Sequence, residues 1–335
     1  MALFGRHNVL LAMLLFAAVA PSFLNAYYVF VANTILIYVL LSIGLNILVG
    51  YTGQLAFANA AMFGIGAYGT GLLQVQLGWP FWLAFPSGAV IATAVGLAIS
   101  LPALRLSGLY LALSTLAFAQ FTQWVFLNWE PVTFGAGGFK TPSISFAPLP
   151  VSKTMGLYYL SLILVIALFV LAQNLVRSRI GRAFVAIRDS DIAAQSLGVD
   201  LLRYKALAFG ISGFYAGIAG GLYSAMLNFV SPEGFDLFQM VIQKAMVVVG
   251  GLGSIVGSVL GATALVSVLE ALRKVKGFQE IVFGAILVGF IIFMPGGLIG
   301  FLKAKVRGWE EPLHRARIGK RVSIAAPSQS NEVRP

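Results

Sequence analysis

The chain has 335 residues, of which 59% are apolar and only 10% charged, whereas soluble proteins average about 45–50% and 25%. This composition and a mean hydropathy of +0.91 exclude two ordinary soluble domains and indicate a polytopic membrane protein. The chain contains no cysteine, which excludes disulfides, Cys-ligated metal sites and Cys nucleophiles.

The formal net charge of +11 is concentrated in two segments. Residues 177–205 hold six Lys or Arg against three acids, and residues 303–335 hold eight against three. Basic segments that alternate with apolar spans follow the positive-inside pattern of a membrane protein and not the pattern of a nucleic-acid-binding face. We therefore expect both segments in the cytoplasm and no nucleic-acid partner.

Ten apolar segments are candidates for transmembrane helices, because about 20 mostly apolar residues are enough to span a bilayer. The first of them follows Arg6 and fits either a retained helix or a signal peptide. Bulky Leu24 occupies the cleavage-site position where a small residue is needed, which favours a retained helix. The ten segments are 9–26, 29–49, 55–76, 80–104, 107–128, 155–175, 206–228, 238–250, 254–271 and 280–301.

The segment 237–271 decides the number of spans. It is longer than one span requires, and the Gly-Gly-Leu-Gly run at 250–253 favours two short or tilted helices. Two helices give ten spans, with both termini in the cytoplasm and the loops 129–154 and 229–237 outside. Nine spans are the alternative, because ten leave the three bases within 273–276 on the outer side.

The predicted domain organisation is an N-terminal helix (1–30), a transmembrane domain (31–303) and a basic cytoplasmic tail (304–335) that is partly disordered. The transmembrane domain carries a cytoplasmic loop at 177–205. No loop is long enough for a soluble catalytic domain, and the sequence offers no phosphate-binding loop, His pair or carboxylate pair within a span. We therefore expect a chain that is not an enzyme and holds no metal or cofactor.

Two sets of glycines recur at four-residue spacing, which places each set on one face of a helix. Such small-residue faces let helix backbones approach closely in a membrane, and this favours a role in helix packing over a direct role in a pathway. The two sets are Gly213, Gly217 and Gly221, and Gly253, Gly257 and Gly261.

Polar residues inside the apolar segments are candidates for a translocation pathway. Thr52, Gln54 and Asn59 follow a glycine-rich stretch, where either an interrupted helix that lines a pathway or an ordinary loop fits the pattern. Lys244 lies two turns into its segment, where it either reaches the membrane interface or contacts a substrate. The candidate pathway residues are Thr52, Gln54, Asn59 and Lys244.

The cytoplasmic segment 177–200 has the pattern of short amphipathic helices. Ser190 is a typical N-cap, residues 192–197 fit a short helix, and Gly198 fits the residue that ends it. A helical spacing of small and basic residues also precedes this helix, from Arg182 to Ile187. Such an element either docks into a groove of another protein or lies on the membrane surface.

The same segment carries a family resemblance. It reads Gly-Arg-Ala-Phe-Val-Ala-Ile-Arg at 181–188, Ala-Ala-Gln-Ser-Leu-Gly at 193–198 and Arg-Tyr-Lys at 203–205. This series is similar to the cytoplasmic loop of LivM-type permeases, the membrane subunits of branched-chain amino acid ABC importers. Further motifs extend the resemblance over 31–303, namely LNILVGYTGQ (45–54), FGIGAY (63–68), LRLSGLY (104–110), VSPE (230–233), VVGGLGS (248–254) and PGGL (295–298).

The resemblance implies an all-α, type II-like ABC importer permease bundle in the bacterial plasma (inner) membrane. It also implies a LivH-like second permease, two cytosolic ABC ATPases and a periplasmic substrate-binding protein as partners. The chain would form half of the pathway for branched-chain or other hydrophobic amino acids, although related systems carry urea, amides or aromatic acids. The implied ATPase-coupling residues are Gly181, Arg182, Ala186, Arg188, Asp189, Ala193, Ala194, Leu197 and Gly198.

Two positions depart from the family pattern. The family commonly has Gly-His where this chain has Ala58-Asn59, and Lys244 has no usual counterpart. The alternative function is an autonomous channel or secondary carrier for a small polar solute, with the basic loop anchored to anionic membrane lipid. No Asp or Glu lies in the middle of the apolar segments, which weakens this alternative because ion-driven carriers use such residues.

Overall fold

The apolar segments fold as α-helices because a helix satisfies its own backbone hydrogen bonds where no water is available. The computed structural model describes residues 25–103, 106, 108–146, 152–273, 279–294 and 296–305, together with Pro21. Its helices are α1 (Ala26–Asn46), α2 (Asn59–Gln76), α3 (Phe81–Ala103), α4 (Gly108–Asn128), α5 (Glu130–Thr133), α6 (Lys153–Arg177), α7 (Arg179–Asp189), α8 (Asp191–Ser196), α9 (Leu201–Leu227), α10 (Leu237–Gly250), α11 (Ile255–Leu272), α12 (Gln279–Phe293) and α13 (Gly297–Lys305). A π-helical turn, Ile47–Tyr51, continues α1.

The chain is a multi-pass helical membrane protein, but the ten predicted spans are not confirmed. Among the described residues, six helical stretches are long and apolar enough to cross a membrane. Of the other predicted spans, 238–250 and 280–301 form shorter helices, 55–76 forms the 18-residue α2, which is not among the six, and 9–26 lies almost wholly outside the described residues. The six stretches are Ala26–Tyr51, Phe81–Pro102, Gly108–Asn128, Lys153–Arg177, Leu201–Leu227 and Ile255–Leu272.

Glycines account for two of these breaks. The segment 237–271 divides into α10 and α11 at Gly251 and Gly253, whose φ angles are +117° and +74°. Gly297, with φ +69°, separates α12 from α13 within the predicted span 280–301. A side chain at a positive φ is strained, so glycine is the residue that allows the chain to turn there. The predicted division of 237–271 into two helices is therefore confirmed.

Helix α9 lies at the centre of the bundle and packs against α1, α2 and α3. The backbones approach closely on both sides of Gly217: a Cβ atom there would lie 2.7 Å from the Cβ of Ala92 and 2.8 Å from the Cα of Ala89 on α3. A Cβ atom on Gly66 of α2 would lie 2.5 Å from the Cα of Gly217. Only glycine leaves room for three helices to meet at this level.

The other glycines of the two four-residue sets face different helices. Gly213 and Gly221 also face α3, where their neighbours are Ala92 and Phe85. Gly257 and Gly261 face α10, whereas Gly253 lies in the turn before α11 and not on its face. The prediction that the glycines of each set lie on one helix face therefore holds for five of the six, and Gly253 is the exception.

A two-stranded antiparallel ribbon joins the loops that were predicted to share one side of the membrane. Strand β1 (Phe139–Lys140) pairs with β2 (Phe229–Val230) in the register Phe139↔Val230. Near the end of α11, Arg273 pairs with Glu270 at 3.1 Å. One of the three bases that the positive-inside rule leaves unplaced thus has an acidic partner, while Lys274 and Lys276 lie outside the described residues.

The close packing of α9 leads to a stability test. We expect Gly217→Ala to lower the melting temperature in detergent, because the added methyl group displaces α3 at a cost of about 1–3 kcal/mol. Gly284→Ala on α12 is the matched control, since a Cβ atom at Gly284 meets no atom within 4 Å and alanine favours a helix. Equal melting temperatures for the two variants would contradict the packing role of Gly217.

Candidate functional site

The segment predicted to be cytoplasmic consists of α7 and α8, which are fixed to the bundle by one apolar face. Ser178 caps α7, and its hydroxyl accepts a hydrogen bond from the Ile180 N–H at 3.1 Å. Phe184 is fully buried and its ring lies edge-on to Tyr204 of α9, with 6.3 Å between the centroids. Because the inward face is apolar, the opposite face of α7 is left to carry the basic side chains.

Helix α8 has the cap and the end that the sequence predicts. The Ser190 hydroxyl accepts from the Ala193 N–H at 3.3 Å, and Gly198 follows the helix with φ +80°. An ion pair of 2.6 Å joins Asp191 in its first turn to Lys205 of α9. The predicted capped helix is therefore confirmed, and both of its ends are anchored.

Helix α8 and its C-cap residue expose two large apolar side chains. Ile192 is 81% exposed and Leu197 is 82% exposed, while Ala194 between them is buried. Leu202 at the start of α9 is 57% exposed. The sequence-based candidates include Leu197 but not Ile192 or Leu202, although isolated apolar residues in a polar cytoplasmic segment are a signal for a covered surface.

The implied coupling residues divide into surface and interior positions. Gly181 is buried against the backbone of Val176, where α6 passes into α7, so it allows a close approach and offers no surface. Ala194 is also buried and Ala186 is partly buried. The exposed members are Arg182, Arg188, Asp189, Ala193, Leu197 and Gly198.

Arg188 connects α7 to the transmembrane helices through a socket of three glycines, Gly50, Gly53 and Gly253. Its Nη1 atom donates to the Gly50 carbonyl oxygen at 3.0 Å. A Cβ atom on Gly53 would lie 2.8 Å from Arg188 Cγ, and one on Gly253 would lie 3.0 Å from Nη1. A larger residue at Gly53 or Gly253 would displace the Arg188 side chain, and one at Gly50 would collide with Asn46 and Gly253. The guanidinium group also pairs with Asp189 at 3.5 Å.

Asn46 holds the turn between α10 and α11 against the end of α1. Its side chain is fully buried, and its Nδ2 atom donates to the Ser254 carbonyl at 2.8 Å and to Ser258 Oγ at 2.7 Å. Its Oδ1 atom accepts from the Gly253 N–H at 2.9 Å. One amide thus supplies both donors and an acceptor to the turn and to the first turn of α11.

A polar cluster lies where the chain is not helical between α1 and α2. Asn59, the first residue of α2, donates to Gln243 Oε1 at 3.2 Å and accepts from Ser212 Oγ at 3.0 Å. Lys244 donates to the carbonyl oxygen of Ala56, and its Nζ atom lies 4.6 Å from the centre of the Phe57 ring. Non-helical backbone at membrane depth is tolerated where protein or a water-filled cavity surrounds it.

The four candidate pathway residues therefore belong to one region. Thr52 Oγ1 accepts from Gln54 Nε2 at 3.4 Å within the non-helical segment, and Asn59 and Lys244 bind the same segment to α9 and α10. Gln54 Oε1 and Gln243 Nε2 are buried and have no hydrogen-bond partner among the described residues. Sequence reasoning missed Ser212, which is one of several serines in an apolar helix and carries no distinguishing signal.

An aromatic cluster closes the bundle one helical turn beyond Asn59, towards the β ribbon. Phe63 lies 5.3 Å from Phe235, and the rings of Tyr68 and Phe126 stack at 4.0 Å. Phe139 of the ribbon packs edge-on against Tyr68 at 5.6 Å. The polar cluster therefore lies between this aromatic layer and the glycine socket on the side of α7.

Comparison with known proteins identifies related sequences. A family model described as the permease component of the branched-chain amino acid transport system matches residues 27–294. The high-affinity branched-chain amino acid transport system permease proteins LivM of Salmonella typhimurium and Escherichia coli are each 32% identical over 322 residues, covering 89% of this chain and 76% of theirs. LivH of Escherichia coli is 27% identical over 290 residues, covering 78% of this chain and 91% of its own. No solved structure gives a significant match.

The role of Asn46 leads to a second test. Replacement by Leu leaves the Gly253 N–H without its acceptor and removes a donor from the Ser254 carbonyl, and an unsatisfied buried group costs about 1–3 kcal/mol. We expect Asn46→Leu to lower the melting temperature and to speed amide hydrogen exchange at 250–254. Asn128→Leu is the control, because Asn128 is exposed at the end of α4 and bonds only within its helix. Unchanged exchange at the turn in Asn46→Leu would refute the role of Asn46.

Proposed function

The chain belongs to the family of branched-chain amino acid transport system permease components, and on this basis we propose that it is the membrane permease subunit of an ATP-driven ABC importer. The resemblance to LivM-type permeases that the motifs indicate is confirmed by the family match and by 32% identity to LivM. The substrates are branched-chain or other hydrophobic amino acids, in keeping with the names of these relatives. The chain supplies half of the pathway, and partner subunits hydrolyse ATP.

The proposed assembly contains a LivH-like second permease, two cytosolic ATPases and a periplasmic binding protein. Similarity of this one chain to both LivM and LivH supports two homologous permeases that pair around a common axis. The chain lies in the bacterial inner membrane with α7, α8 and both termini in the cytoplasm. The β ribbon, which joins two loops with few bases, faces the periplasm.

The apolar surface of α8 is the observation that carries the proposal. Ile192 and Leu197 project from a capped helix on a basic segment, with more than four fifths of each side chain exposed. Exposed apolar side chains held on a rigid element are typical of a protein-binding surface, where they act as anchors in a pocket of the partner. An ATPase is the partner that the transport family requires on the cytoplasmic side.

The proposed mechanism is alternating access driven through this surface. When the ATPases close, they displace α8 and α7, and Arg188 transmits the movement to the glycine socket. The socket joins the end of α1 to the turn before α11, so the displacement reaches the non-helical segment and α10 together. A shift of these elements opens the polar cluster to one side of the membrane at a time.

Affinity purification of the chain in mild detergent tests the proposed assembly. We expect a second permease and an ATPase pair to purify with it, and we expect amino-acid uptake into proteoliposomes only when ATP and the binding protein are present. Uptake by the purified chain alone, without ATP, would instead support an autonomous channel or carrier.

Two substitutions on α8 test the docking surface. We expect the double variant Ile192→Glu and Leu197→Glu to lose ATPase binding by at least about tenfold, because two charges cannot enter an apolar pocket. Gln195→Glu adds a charge to the same helix at another exposed position and should retain binding. The amount of ATPase that purifies with each variant is the measurement, and equal recovery from all variants contradicts docking through Ile192 and Leu197.

A further inference from the structure

Among the described residues, the least covered face of α10 carries Lys244, which is itself partly buried. Leu237, Val241 and Val248 share this face, because the spacing from 237 to 241, 244 and 248 follows one side of a helix. These three apolar residues are 52%, 42% and 39% exposed, whereas Met240, Ile242 and most other residues of α10 are buried. The partly buried Lys244 therefore lies in line with an otherwise apolar exposed stripe.

The position of the ammonium group is fixed by neighbours that do not neutralise it. It donates to the carbonyl oxygen of Ala56 and lies over the ring of Phe57. Among the described residues, no carboxylate pairs with Lys244. A charged group at membrane depth is costly unless it faces water, protein or a counter-charge, so an apolar lipid environment on this face is unfavourable.

Two further polar groups of the same region lack partners. Gln243, next to Lys244, uses its Oε1 atom to accept from Asn59, which leaves its Nε2 donor without a partner among the described residues. Gln54 lies two residues before Ala56. Its buried Oε1 acceptor also has no hydrogen-bond partner among the described residues. The region thus offers a cation and an amide donor for an anion, and acceptors at Gln54 and Ala56 for an ammonium group.

We propose that Lys244 recognises the carboxylate of the transported substrate, on a pathway that runs along the exposed face of α10. The Gln243 amide completes the carboxylate contact, and Gln54 and Ala56 accept from the amino group of an amino acid. This inference rests on the proposed function, in which the second permease covers the exposed face and leaves a water-filled pathway between the two subunits. It also assigns a specificity for carboxylates, because urea or a neutral amide lacks the charge that Lys244 binds.

Cysteine substitution tests the proposal cleanly, because the chain contains no cysteine of its own. In the complete importer, we expect Lys244→Cys to reduce L-leucine uptake by about tenfold or more, as for the loss of a charge-assisted hydrogen bond. Modification with 2-aminoethyl methanethiosulfonate restores an ammonium group and should recover uptake. The 2-sulfonatoethyl reagent installs a negative charge and should not. L-leucine should slow both modifications, as measured by intact-mass spectrometry of this chain.

Lys140→Cys is the matched control, since Lys140 is an exposed lysine on the β ribbon. It loses the same charge and should transport normally with either reagent. Recovery of uptake by the ammonium adduct alone separates a substrate contact from a merely structural role. If Lys244 only reaches lipid phosphate, L-leucine will not change the rate at which Lys244→Cys is modified. This result would overturn the inference.

L-leucine uptake by the unsubstituted complex tests the proposed function separately from the role of Lys244. If this complex carries L-leucine and Lys244→Cys carries it equally well, only the role of Lys244 is refuted. If the unsubstituted complex carries no amino acid under any condition, the proposed function and the inference that rests on it both fail.

Discussion

The hydrogen bonds of Asn46 join two parts of the chain that are far apart in sequence, the end of α1 and residues 253–258. The turn between α10 and α11 is not helical, and in a membrane its backbone groups need partners from the protein itself. Asn46 provides them from the last turn of α1, with contacts of 2.7–2.9 Å to Gly253, Ser254 and Ser258. This buried amide helps to fix the end of α10, the helix that carries Gln243 and Lys244.

The glycine socket extends the same junction to α7, on the side that we propose to be cytoplasmic. Gly253 is held by Asn46 on one side and lies against Arg188 on the other, while Gly50 binds Arg188 through its carbonyl oxygen. Because glycine has no side chain, the backbone of the junction itself contacts the arginine, without flexible side chains between them. Close-packed contacts of this kind transmit displacement better than long polar side chains do. A movement of α7 therefore has a direct route to the polar cluster.

Local patterns predicted local structure well. The cap at Ser190, the end of α8 at Gly198 and the break at 250–253 follow from the chemistry of single residues, and the structure has all three. The gathering of Asn59 and Lys244 around one non-helical segment agrees with the polar residues chosen from the sequence, while their role in a pathway stays a prediction.

The contacts that organise the site could not be predicted in this way. Asn46 is a lone polar residue in an apolar run, and its partners lie more than 200 positions along the chain. The exposure of Ile192 depends on how α8 is seated against the bundle, and the number of spans depends on where glycines at positive φ interrupt apolar segments. Hydropathy records the length of an apolar segment but not these tertiary constraints.

The central claim is that Arg188 couples the cytoplasmic helices to the pathway. The number of L-leucine molecules carried per ATP hydrolysed, in the complete importer with Arg188→Met, tests it most directly, because methionine keeps the apolar stem of the side chain and removes the donor to Gly50. Arg203→Met is the control, since Arg203 pairs only with the exposed cap Asp200 at 2.9 Å among the described residues. We predict that Arg188→Met binds the ATPases and hydrolyses ATP but carries severalfold fewer molecules per ATP than the control. An unchanged ratio in Arg188→Met would contradict the coupling role.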